Sequence, residues 1–330
     1  MLQGCETPKI EAQTVRAPRV SYRVAPAPAL LDEPGTLAVF GFSAATPAST
    51  DPRHLQVILD SFDTPALLER WQVDAKVDCG IEGALRWSAG GGWLFAAVEL
   101  DEDEQGGPCA TARRAYETLH RFVSAHGSRH VLRVWNYLGA INQGAGDAER
   151  YKQFCEGRAA GMGSFFAEGF PAATAIGHRA GAHRLQVYLL ACDQRGSRVE
   201  NPRQVSAWDY PRQYGRTPPS FARAMILPAH DVLAISGTAA VVGHASAHED
   251  DLDAQLAETL VNLEALLASA DMSAGFDTRS PLKAYVRRAT DAPRVRAYLQ
   301  QRLPGVPLLM LHGDICRSEL LVEIDGWRYA

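Results

Sequence analysis

Two consecutive stretches decide the fold class: DVLAISGTAAVVG, Asp231–Gly243, and DDLDAQLAETLVNLEALLASA, Asp250–Ala270. The first is short, apolar and rich in β-branched residues, as a strand is. The second places Leu252, Leu256, Leu260, Leu263 and Leu267 on one face of a helix. Beyond them, SPLKAYVRRA (280–289) reads as a strand and DAPRVRAYLQQRLPG (291–305) as a helix. Asp291 stands at its N-cap, Pro293 lies in its first turn and Pro304-Gly305 stops it. VPLLMLHG (306–313) and ELLVEIDGW (319–327) close the unit as strands.

The same order occurs upstream. GWLFAAVEL (92–100) reads as a strand, and TARRAYETLHRFVSAHG (111–127) as a helix whose Ala112, Ala115, Leu119 and Phe122 repeat at helical spacing, with Gly127 as C-cap. HVLRVWNYL (130–138) is a strand, ERYKQFCEGRAAGMGSFFAEG (149–169) a second helix, and AATAIGH (172–178) and RLQVYLLAC (184–192) two more strands. Strand–helix–strand–helix–strand–strand, met twice, is an internal duplication. It predicts an α+β protein of two related domains, residues 1–195 and 196–330, each a mixed sheet with its helices packed on one face. Residues 1 to about 60 are rich in Pro and Ala and offer one strand, TLAVFGFS (36–43), and little else regular.

Composition narrows the function. A chain of 330 residues with 46% apolar and 22% charged residues is of the globular class. Its net charge of -5 argues against a nucleic-acid binder. Any anionic ligand must therefore be drawn in by a local cluster of arginines. Six cysteines, with no CxxC pair, suggest neither a zinc ribbon nor a disulfide framework. The leading MLQGCETPKIEAQ has no apolar run and is not read as a signal peptide. The run from Met225 to His248 is broken by Pro228, His230 and Asp231 and cannot cross a bilayer. The expectation is a cytoplasmic monomer with reduced thiols. His244 and His248 stand four apart, but in a loop without a marked third ligand, so no metal site is expected. SAGGGW (88–93) reads as a turn and not as a phosphate loop.

Residues 200–224, ENPRQVSAWDYPRQYGRTPPSFARA, are the unusual segment. Arg203, Arg212, Arg216 and Arg223, with Arg198 just upstream, alternate with Trp208, Tyr210, Tyr214 and Phe221, and four prolines stiffen the path. Rigid arginines among rings suit a pocket that holds a small anion in one orientation.

The segment PPSFARAMILPAHDVLAISGTA, the helix that follows and the closing LLVEIDGW resemble the RidA/YjgF superfamily. Tandem halves joined by VWNYLGAIN, YKQFCEGR and the NPRQVSA to FARA block resemble the chorismatases, enzymes that remove pyruvate from chorismate. The resemblance covers roughly residues 90–330. It implies chorismate as the small-molecule partner and no metal or organic cofactor. Arg223, Arg203 and Arg158 are the candidates for the two substrate carboxylates, and Tyr214 for a hydroxyl donor at the ring. Alternation alone gives Glu323 an exposed position, opposite Val322 and Ile324. The resemblance reverses that and makes it the acid that protonates the enolpyruvyl methylene. Cys316 stands seven residues earlier, so the two share a pocket only if GDICRS turns. A cysteine there implies the branch that forms 3-hydroxybenzoate, with 4-hydroxybenzoate as a possible second product. Ala239 or Ala240 would line the same wall. The alternatives are hydrolysis of chorismate to a dihydroxycyclohexadiene acid, a Rid-type imine deaminase, and a non-catalytic small-ligand binder. The deaminase is weakened because VPLLML lacks the arginine those enzymes carry there.

Overall fold

A computed structural model describes residues 15–43, 49–126, 130–179 and 183–330. Gly127, read as a helix cap, and the leading MLQGC segment with Cys5 lie outside the described residues. Three sheets enclose one core. The four-stranded sheet contains β1 (Arg19–Arg23), β2 (Thr36–Phe42), β3 (His54–Val57) and β4 (Leu68–Gln72), in spatial order β1-β4-β2-β3. It corrects the expectation of a largely irregular leader. Its strands are short and pair out of chain order, so no hairpin signal announces them.

The second sheet takes β5 (Asp78–Glu82), β6 (Leu85–Gly90), β7 (Trp93–Asp101), β8 (His130–Gly139), β9 (Ala172–His178) and β10 (Arg184–Cys192). The third takes β11 (Ser197–Val199), β12 (Ala224–Ile226), β13 (Val232–Thr238), β14 (Leu282–Val286), β15 (Leu308–His312) and β16 (Val322–Tyr329). Helices α1 (Pro108–Ala125) and α2 (Arg150–Met162) connect β7, β8 and β9; α3 (Leu252–Ser269) and α4 (Ala292–Arg302) connect β13, β14 and β15. The spatial orders are β9-β8-β10-β7 and β15-β14-β16-β13. In each, the first pair is parallel and the rest antiparallel. The duplication is therefore one of topology. α2 is shorter than its sequence suggests, because Gly163, at φ +47, ends it after Met162.

The two repeats also interlock. Asp314–Ile315, from the second repeat, pairs with β9 of the first, and Asp60–Ser61 pairs with β15. Strand alternation sorts the side chains. On β7, Trp93, Phe95 and Ala97 enter the central core, while Leu94, Ala96 and Val98 face α1 and α2. With both faces covered, the strands read as nearly continuous apolar runs. Gly157 and Gly161 let α2 lie against α1, since a Cβ at either would strike the backbone of Cys109 or Arg113. No helix among the described residues is long and apolar enough to cross a membrane.

A buried polar network joins the three sheets. Asp325 Oδ2 on β16 accepts hydrogen bonds from Arg133 Nη2 at 3.0 Å, Trp135 Nε1 at 2.9 Å, Thr174 Oγ1 at 2.7 Å and Tyr285 OH at 3.0 Å. Lys283 Nζ lies 3.9 Å from the other Asp325 oxygen and 3.0 Å from Glu69 Oε2 on β4. All four charged side chains are fully buried, and their charges cancel. Burial works against the Lys283 ammonium, but the Asp325 and Glu69 carboxylates outweigh it and its pKa is raised.

Removing one member leaves the other charges buried and unbalanced. Lys283→Met should therefore lower the stability by about 3–5 kcal/mol. Urea unfolding followed by tryptophan fluorescence measures it, and a loss within error of zero would mean that the network does not hold the sheets together.

Candidate active site

A cavity of about 320 Å³ opens between the two repeats. Tyr151 and Asn142 line it from the first repeat, and Arg223, Ala239, Cys316 and Glu323 from the second. Behind it lies a recess of about 50 Å³, bounded by Arg158, Cys155 and Asn136 and sharing Tyr151, Cys316, Gly237 and Glu323 with the main cavity.

Glu323 is only 5% exposed. Alternation along β16 turns Glu323, Asp325 and Trp327 to the central face, while Val322 and Ile324 pack under α3 and α4. Both faces are covered, so facing away from the helices does not mean facing water. Burial, and next the Asp325 carboxylate, push the Glu323 pKa up to about 8, against the pull of Arg133, Arg223 and Arg287. The group is thus a neutral acid at neutral pH.

Cys316 reaches the same cavity because the chain turns after the two-residue strand Asp314–Ile315. Arg287 holds that turn. Its guanidinium donates to the carbonyls of Leu320 at 2.6 Å, Ile315 at 2.7 Å and Arg317 at 2.7 Å, and to the side chains of Asn142 and Asp314. The Cys316 thiol, pushed up to about 12 by burial and then by Glu323, stays protonated. It can fill space and donate a weak hydrogen bond, but it is not a thiolate nucleophile.

The arginines of the 198–224 segment part company. Arg223 is 6% exposed and lines the cavity. Its Nη2 donates to Val205 O at 2.8 Å and to Tyr210 OH at 2.6 Å, and its Nε has no partner. Arg158 is equally buried; its Nε donates to Tyr116 OH at 2.8 Å and its Nη2 is unpaired at the recess. Arg203 is a correction. Its guanidinium is bound 2.6 Å from Glu258 on α3 and to Asn262, and it does not line the cavity. Arg212 and Arg216 both clamp Asp147 at the surface. Tyr214 lines the cavity, its hydroxyl 3.4 Å from His244 Nδ1. Ala239 lines it too, whereas Ala240 is fully buried behind and does not, which corrects the second of that pair.

Among the lining residues that escaped the sequence reading, three bear on the site. Tyr151 lies on the cavity side of α2, within the YKQFCEGR block. Arg317 stacks over the rings of Tyr214 at 4.1 Å and Tyr210 at 5.1 Å. Gly237 presents bare backbone to both spaces. Among the described residues, no three His, Cys, Asp or Glu side chains gather as ligands for a metal.

The raised pKa has a consequence for stability. The folded chain holds a proton on Glu323 that the unfolded chain, at an ordinary value of 4.5, gives up. That stability is complete below the unfolded value and is lost as the pH rises through about 8. Glu323→Gln carries no such proton. Thermal unfolding from pH about 6 to about 9 should show the parent losing ground to the variant. Parallel curves would show that Glu323 is not a neutral buried acid.

The chorismatase FkbO/Hyg5-like N-terminal family matches residues 69–191. A 3-hydroxybenzoate synthase of Streptomyces hygroscopicus is 37% identical over 276 residues, covering 78% of this chain and 80% of that protein. A chorismatase of the same organism is 34% identical over 278 residues, covering 80% of each chain. A chorismatase crystal structure superposes with a TM-score of 0.85 at 28% identity, over 96% of this chain and 100% of that one.

Proposed function

The chain belongs to the chorismatase family, and on that premise we propose that it converts chorismate to 3-hydroxybenzoate and pyruvate. The observation that carries this reading is Glu323: a carboxyl kept protonated at neutral pH, beside a neutral thiol, where the cavity is lined by Arg223 and the recess by Arg158, each with one unpaired nitrogen. Protonating an enol ether at carbon needs such an acid.

Glu323 gives its proton to the enolpyruvyl methylene, which becomes a methyl group. The ring C4 hydroxyl oxygen then attacks C3. The C3–O bond breaks with its electrons going to the ether oxygen, and pyruvate leaves as the ketone. The hydroxyl proton returns to the Glu323 carboxylate; the ring oxide then opens at its C4–O bond, the C3 hydrogen leaves as a proton and the oxygen takes one up, which gives the phenol. No water is consumed. Arg223 and Arg158 supply charge-assisted hydrogen bonds to the two substrate carboxylates, each worth about 1.5–3 kcal/mol. Tyr214 serves the ring hydroxyl, and Ala239 leaves room for the ring. We take a monomer as the working unit, with residues 1–195 and 196–330 as its two domains.

Incubation with chorismate should release pyruvate and 3-hydroxybenzoate in equal amounts. Glu323→Gln, folded, should abolish that release. A folded variant that still turns over would remove Glu323 from the mechanism, and a parent that releases no pyruvate would favour the binding-protein reading.

Product choice turns on Cys316. Cys316→Ala opens volume for roughly one water, whose share of the liquid is about 30 Å³. Pyruvate release should continue while the aromatic product gives way to the dihydroxy acid or 4-hydroxybenzoate. Chromatography that finds only 3-hydroxybenzoate, at the parent's rate, would make Cys316 a structural thiol.

A further inference from the structure

The Glu323 carboxyl has no hydrogen-bond partner among the described residues, yet a proton donor to carbon must be aimed. The neighbouring strand supplies the constraint. β13 and β16 pair as Ile235 with Gly326 and Thr238 with Ile324, so Ser236 and Gly237 together oppose Asp325 alone. One extra residue on one strand is a β-bulge, which bends the strand and redirects what it faces. The bulge is anchored across the molecule: Ser236 Oγ donates to Ala222 O at 2.6 Å and accepts from Ala173 N, on β9 of the other sheet, at 2.9 Å. Thr238 Oγ1 closes it by donating to Ser236 O at 2.9 Å.

Gly237, in that bulge, lies against the acid. A Cβ at this position would overlap Glu323 Oε1 and stand 2.8 Å from its Cδ; its three nearest neighbours all belong to Glu323. The φ of Gly237 is not in the left-handed region, so the backbone does not require glycine here. The missing side chain does. We propose that the Ser236–Gly237 bulge aims the Glu323 carboxyl, with Gly237 as a positioning residue that reserves the space the carboxyl occupies beside the substrate. This rests on the reading of Glu323 as the proton donor. The bulge fixes the height of the wall, the hydrogen bonds of Ser236 fix its place, and contact with Gly237 stops the carboxyl at one depth between cavity and recess.

The test is a double-mutant cycle on kcat and KM for pyruvate release from chorismate. Gly237→Ala should lower kcat about 100-fold, the size of effect that a misplacement of about 1 Å produces. KM should change little, because the arginines are untouched. Glu323→Asp withdraws the carboxyl by one methylene and is itself slow. Adding Gly237→Ala to Glu323→Asp should then lower kcat by less than about tenfold, since the new methyl enters vacated space. Equal losses in the two backgrounds, or no loss from Gly237→Ala alone, would overturn the proposal. Should Gly237→Ala fail to fold, Glu323→Ala is added. Recovery to the thermal stability of Glu323→Ala alone supports a clash with the carboxyl, and continued unfolding overturns it. Full turnover by Glu323→Gln would defeat the proton-donor reading itself, an outcome separate from any of these.

Discussion

Asp325 collects four hydrogen bonds on one oxygen at the meeting point of three sheets, and the site depends on that arrangement. Its partners come from β8, β9 and β14, and through Lys283 it reaches Glu69 on the leading sheet. An isolated charge could not be buried there, but a quartet whose charges cancel can, although Arg133 Nε and Asp325 Oδ1 have no hydrogen-bond partner. The network also stands two residues from Glu323 on the same face of β16. The Asp325 carboxylate adds to burial in keeping the Glu323 proton on, while Arg133 pulls the other way. The interaction that locks the sheets thus helps set the acidity of Glu323.

The two repeats share a topology but not a chemistry. β16 carries Glu323 and Asp325 on its central face, whereas β10, its counterpart, turns Gln186, Tyr188 and Leu190 inward. The first repeat contributes support: Arg133 and Thr174 to the network, Tyr151 to the cavity wall, Arg158 to the recess, and Ala173 to the bulge. Duplication supplied a second sheet to close the site, and only one copy keeps the acid.

Helix and strand order was legible because the local patterns are plain: the leucine face of α3, and the short, nearly continuous apolar runs of β7 and β10. The leading sheet was not, since its strands pair out of chain order and its composition suggests loop. Glu323 was legible only through family resemblance. Alternation identifies a face, and the usual inference from face to water fails when a second sheet covers that face. Arg203 shows the converse error. Its place among rings and prolines resembled that of Arg223, but its fate was decided by Glu258, a partner 55 residues away on α3. Arg317 and Gly237 carry no local signal, because what matters about them is the ring they stack on and the carboxyl they face.

The central claim is that Glu323 is a protonated carboxylic acid at neutral pH in the folded chain. Infrared difference spectroscopy between the parent and Glu323→Gln reads this directly, since the protonated carboxyl and the carboxylate absorb in separate bands. The parent should show one extra protonated-carboxyl band at neutral pH, absent from the variant, that gives way to carboxylate as the pH passes through about 8. A Glu323 signal already in the carboxylate band below neutral pH would contradict the account.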